Sequence, residues 1–107
     1  MTTLNKEYYL YFKLESNEEV TTESILSLTD LSVDIIFDLL SVDDINESLL
    51  NCLEEINEYI ISKGLCMVLL IKDVPSNLKL ESFNILPTLI EAKDYLQIEQ
   101  IQRDLGM

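Results

Sequence analysis

Residues 65–71 read LCMVLLI, an unbroken apolar run bounded by Gly64 and by Lys72-Asp73. The run is far short of the roughly 20 residues that a membrane-spanning helix needs, but it has the length of a strand buried on both faces. Such a strand needs covering layers above and below, which commits the chain to helices packed on a sheet.

The preceding sequence supplies one of those layers. Residues 33–39 (VDIIFDL), introduced by Asp30, alternate Val33, Ile35, Phe37 and Leu39 with Asp34, Ile36 and Asp38, the pattern of a largely buried strand. Next, Ser41-Val-Asp-Asp offers a helix N-cap with acids in the first turn, and Gly64 offers a stop after Lys63. At roughly 100° per residue, Ile45, Leu49, Cys52, Leu53, Ile56, Tyr59 and Ile60 share one face of this helix. Glu47, Asn51, Glu54 and Glu58 take the opposite face. Leu50 and Ile61 fall outside the apolar stripe, and either meet another element or stand in solvent as single apolar residues often do. Strand, helix and strand make a βαβ unit, whose strands should be parallel and whose crossover should be right-handed.

Residues 8–14 (YYLYFKL) suit a strand with Tyr8, Leu10, Phe12 and Leu14 on one face and Tyr9, Tyr11 and Lys13 on a half-exposed other face. The polar segment that follows is loop-like, and residues 22–28 suit a helix of about two turns. After the Asp73-Val-Pro-Ser-Asn loop, residues 82–86 (SFNIL) suit an edge strand ended by Pro87. Thr88-Leu-Ile-Glu91 has the form of a capping box, so the last helix spans about residues 88–105, with Gly106 beyond it. Its apolar residues change sides: Leu89, Ala92 and Leu96 share one face, while Ile98, Ile101 and Leu105 lie roughly opposite. Either the helix kinks near Gln97, or its last turns meet a second copy or another partner. The expected architecture is a single α/β domain over residues 1–107, with a small mixed, mainly parallel four-stranded sheet and helices packed on it. Its core should hold Leu10, Phe12, Ile35, Phe37, Leu53, Ile56, Val68, Leu70 and Ile85.

Charge restricts the partners. The chain carries 20 acidic and 7 basic residues, a formal charge of −13, which disfavours nucleic acid and anionic membranes because there is little Lys or Arg to neutralise phosphates. Fourteen of the acids lie between Glu7 and Glu58, where Lys13 is the one base, whereas residues 59–107 sum to −1. The excess therefore belongs to the N-terminal half, either as an interaction face for a basic protein or as scattered, solvated acids.

Several chemistries are excluded outright. Without histidine there is no Ser-His-Asp or Cys-His nucleophile, no His-ligated zinc and no imidazole shuttle. With only Gly64 and Gly106, there is neither a P-loop nor a dinucleotide-binding glycine fingerprint. Cys52 and Cys66 are too few for a zinc site and lie in apolar stretches, as buried reduced thiols do. Neighbouring acids such as Asp43/Asp44 and Glu54/Glu55 point about 100° apart on a helix and make no catalytic pair by themselves. We expect no enzyme activity, no cofactor and no metal. The lack of a charged-then-apolar leader leads us to expect a cytoplasmic protein.

The order of these pieces resembles the STAS domain, the module of anti-sigma factor antagonists and of sulfate transporter tails. The likeness is carried by the 33–39 strand, the segment Ser41-Val-Asp-Asp-Ile-Asn-Glu-Ser-Leu-Leu50, the helix to Gly64, the 65–71 strand, and the closing Asn84-Ile-Leu-Pro-Thr-Leu-Ile-Glu-Ala92. The ending NILPTLIEAKDYLQIEQIQRDLG is similar to the tails of stand-alone STAS proteins of Bacteroidetes-type bacteria. In that family a loop reading Asp-Ser-Ser-Gly-Leu opens the main helix, and its second serine is phosphorylated by an anti-sigma kinase. The motif falls here on Asn46-Glu47-Ser48-Leu49-Leu50, where Ser48 and Leu50 match. Asn46 replaces the acid, Glu47 sets a permanent negative charge beside the serine, and Leu49 adds bulk in place of glycine.

The resemblance thus implies a short member with a degenerate phosphoswitch: a non-enzymatic regulatory module with Ser48 as its phosphorylation candidate. Asp43, Asp44, Asn46, Glu47 and Leu50 would be its partner-binding candidates. The alternative, suggested by charge alone, is an acidic inhibitor or immunity-type protein that masks a basic nuclease or toxin.

Overall fold

A computed structural model describes residues 1–6, 8–16, 19–28, 32–74 and 80–106. Asp30 and residues 75–77 of the loop after Asp73 lie outside the described residues. In chain order the elements are β1 (Thr2–Asn5), β2 (Tyr9–Glu15), α1 (Thr22–Leu26), β3 (Asp34–Ser41), α2 (Glu47–Ser62), β4 (Met67–Leu70), β5 (Asn84–Leu86) and α3 (Leu89–Asp104). The fold is α/β, with a mixed sheet of five strands rather than the four expected, in the order β1-β2-β3-β4-β5. The pairs β2–β3, β3–β4 and β4–β5 are parallel, and β1 is antiparallel to β2. The added strand is β1. All four of its residues are exposed, so it carries no alternation of apolar and polar residues by which a sequence reading could find it.

Alternation along β3 sends Ile35, Phe37 and Leu39 to one side of the sheet, where they join Leu10, Phe12 and Leu14 of β2 and Met67 and Leu69 of β4. Leu53, Ile56 and Ile60 of α2 and Ile25 of α1 close this layer. The register sets Phe12 beside Phe37, and their rings stack with centroids 5.0 Å apart. On the other side Ile36, Val68 and Leu70 meet Ala92 and Leu96 of α3. β4 is therefore covered on both faces, as its apolar run requires. Every expected core residue is buried except Ile85, which is partly buried against the α2-side cluster.

Four local expectations need correction. Ser41 ends β3 instead of capping α2; the N-cap is Asn46, whose side chain accepts from the Leu49 N–H at 2.8 Å. Asp43 and Asp44 consequently sit in the loop before the helix. Second, the buried face of α2 is turned toward Leu50 and Asn57, so Leu50 belongs to the core while Tyr59 is 45% exposed. The cause is the segment leading into β5, which covers that flank and takes a hydrogen bond from Asn57 Nδ2 to the Ser82 carbonyl (3.1 Å). Third, Tyr8 precedes β2 and is 63% exposed. Fourth, α1 ends at Leu26, and Thr21 caps it reciprocally with Ser24.

Both glycine stops hold. Gly64 has φ +75° and Gly106 φ +73°, the left-handed conformation that closes a helix. α3 is a single unbroken helix, started by Thr88 accepting from the Glu91 N–H (3.2 Å). Among the described residues, no helix is long and apolar enough to cross a membrane.

Candidate functional site

β2 and β3 are parallel, so both run out at the same edge of the sheet, and the chain turns there into α1 and α2. Ser16, just past β2, joins the two strand ends: its hydroxyl donates to the Ser41 carbonyl (2.9 Å) and accepts from the Asp43 N–H (2.8 Å). Asn46 then fixes where α2 begins. The result is a cleft of about 560 Å³ with an apolar floor that includes Leu14, Val20, Val42 and Leu49. Glu15, Glu19, Asp43 and Asp44 line it, together with Asn46 and Ser48.

Of the residues singled out from sequence, Asp43, Asp44, Asn46 and Ser48 meet in this cleft, and Ser48 is exposed on the first turn of α2. Glu47 is exposed beside them but does not line the cleft. Leu50 is buried in the core and presents no surface to a partner. Glu15 and Glu19 were missed, because nothing local in the sequence links them to Asp43 and Asp44. The parallel pairing brings them in. The cleft thus concentrates four carboxylates with no base among its lining residues, a setting that attracts cationic side chains and gives a proton-transfer mechanism no imidazole to work with.

A second polar cluster lies on the α3 side, at the opposite end of β3. Asp34, almost fully buried, accepts from the Cys66 N–H (2.9 Å) and pairs with the Arg103 guanidinium at 2.5 Å. Arg103 also donates to the Gly64 carbonyl (3.3 Å), and Tyr95 donates to Asn84 Oδ1 (3.1 Å). Burial, reinforced by the charges of Asp34 and Glu99, pushes the half-buried Cys66 thiol up to about 11. Burial likewise raises Tyr95 to about 12. Cys52, on the α2 side, is a free thiol raised by burial as well. These thiols stay protonated near neutrality and make poor nucleophiles. Tyr11, hydrogen-bonded to the buried Asp38, is also raised, first by burial and then by that carboxylate. Among the described residues, no group of three or more His, Cys, Asp or Glu side chains is placed to hold a metal.

No protein-family model and no curated protein matches this chain. The functional reading therefore rests on the cleft and on the sequence.

Proposed function

We propose that the chain is a non-enzymatic, STAS-like regulatory module that docks a protein partner at the cleft between the ends of β2 and β3 and the first turn of α2. The observation that carries this reading is the convergence of Glu15, Glu19, Asp43 and Asp44 around an apolar floor. The floor supplies area to bury, and the carboxylates select a basic segment and speed its approach. The STAS resemblance puts the partner face at the same loop and helix start. On this reading the phosphoswitch is degenerate: the exposed Ser48 sits where a phosphate would face Asp43 and Asp44, and Glu47 already supplies a standing negative charge.

Affinity capture with the wild-type chain and with Asp43→Lys/Asp44→Lys/Glu47→Lys tests the site. We expect a partner retained by the wild type and lost with the variant. Identical captured sets from the two proteins would refute it. The same four carboxylates favour a second reading, an acidic inhibitor that masks a basic active site. Salt separates the two by degree: both weaken as ionic strength rises, but masking predicts that binding disappears at high salt, while docking retains the part of its affinity that the apolar floor supplies.

A further inference from the structure

The outer face of α3 is more apolar than a solvated helix face should be. Opposite the buried Ala92 and Leu96, the side chains of Ile90, Ile98, Ile101 and Leu105 are 73, 56, 53 and 68% exposed. Beside them runs a shallow groove of about 360 Å³ between Tyr8–Tyr9 and the helix, also lined by Lys93, Gln97, Gln100 and Ile101. The helix itself belongs to the nearly neutral part of a chain whose N-terminal half carries almost all of the −13.

We propose that this face binds a second copy of the chain, with the two α3 helices antiparallel. The sequence of the face is complementary to itself. Lys93, Gln97, Gln100 and Asp104 follow one another at spacings of four, three and four, so they form one row along the groove side of the stripe. Turned end for end and laid against itself, the row brings Lys93 to Asp104 of the second copy and Gln97 to its Gln100. Ile98 then meets Ile101 of the second copy. The Lys93–Asp104 and Gln97–Gln100 pairs each form twice about a two-fold axis, which is the condition for an isologous contact. A parallel pair would instead put lysine against lysine. Among the described residues, the bonds of Gln100 within one chain are long, to Asp104 at 3.4 Å and from Arg103 at 3.5 Å, and a closer partner displaces them.

Self-complementarity is what distinguishes a second copy from an unrelated protein. Elsewhere the acidic surface repels another copy, whereas along this row the charges of Lys93 and Asp104 cancel, leaving the exposed Asp94 as the one acid within the stripe. α3 is about 24 Å long at 1.5 Å per residue, so the contact falls at the small end of specific interfaces and the dimer should be of micromolar strength. α3 and the acidic cleft use different faces of the sheet, so failure of either proposal leaves the other standing.

Sedimentation equilibrium of the full chain over roughly 1 to 300 μM brackets a micromolar dissociation constant. We expect a monomer–dimer equilibrium. Ile101→Asp should raise the dissociation constant at least about tenfold by placing a carboxylate in the apolar centre. Lys93→Asp and Asp104→Lys alone should each raise it by about 3- to 10-fold, since each sets like charges face to face. Combined in one chain, the two changes should restore it to near the wild-type value. A monomer throughout the range, a dimer indifferent to Ile101→Asp, or a double variant no tighter than either single one would overturn the proposal. These side chains are exposed, so circular dichroism should report an intact fold for each variant. If Ile101→Asp loses that signal, Ile98→Asp applies the same test.

Discussion

On the α2 side of the sheet, three strands and two helices bury a continuous apolar layer from Leu10 and Phe12 through Phe37 and Leu53 to Met67. On the α3 side, the buried apolar set is smaller, Ile36, Val68, Leu70, Ala92 and Leu96, with Tyr9, Tyr11, Leu86, Leu89 and Tyr95 packed partly buried around it. There Asp34 and Asp38 occupy strand positions that hold apolar residues on the other side, and both are buried with partners. The contrast teaches how one short strand, β3, serves two layers. Its odd-numbered positions supply non-directional burial, which tolerates small shifts. Its even-numbered acids supply directional bonds: Asp38 takes one from Tyr11 of the neighbouring β2, and Asp34, through Arg103, fixes where α3 lies.

The largest test of the contrast compares truncations. Leu53→Ala should cost about 3–5 kcal/mol, because the site is enclosed and a cavity would persist. Leu96→Ala should stay near about 2–3 kcal/mol, because Leu96 borders the groove beside Tyr8–Tyr9 and its surroundings can close in. Urea unfolding of both variants checks this; equal losses would break the distinction between an enclosed and an open layer.

Next comes the ion pair. Arg103→Met should cost about 2–4 kcal/mol by leaving the Asp34 carboxylate buried without its cation, somewhat under the full buried-pair value because the arginine side chain is 28% exposed. Adding Asp34→Asn should recover most of the loss. A double variant as unstable as the single one would show that α3 is held by packing alone.

The smallest effect is alkaline. Cys66 is raised from 9.0 to about 11, so between those values the folded chain holds a proton that the unfolded chain has released. This contribution is complete below pH 9 and is lost as pH rises toward 11. Tyr95, raised from 10.0 to about 12, extends the fall upward. Stability measured from pH 8 to 11 should decline less steeply in Cys66→Ala than in the wild type.

The same contrast explains what the sequence disclosed. Apolar alternation in β2 and β3, the run at β4 and the glycine stop at Gly64 are local signals with a clear period, and each led to an element near its place. β1 has no buried face and so left no period. The start of α2 was misplaced because Ser41 and Asn46 are both acceptable caps; the choice depends on β3 pairing through Ser41, opposite Glu15. The joining of Glu15 and Glu19 to Asp43 and Asp44, and of Asp34 to Arg103 across 69 residues, arises from tertiary pairing that no short window contains.

The strand order has a consequence for synthesis. Because β1 to β5 lie side by side in the order in which they are made, a chain leaving the ribosome never has to hold a gap open for a strand still to come. Each new strand adds to the edge left by the last, and although the parallel partners are far apart in sequence, as Leu10 and Ile35 or Ile35 and Met67 are, the cost of closing a loop grows only slowly with its length. α3 emerges after the whole sheet, and Arg103 near its end then reaches Asp34, so a later segment supplies the cation that a much earlier one has been waiting for.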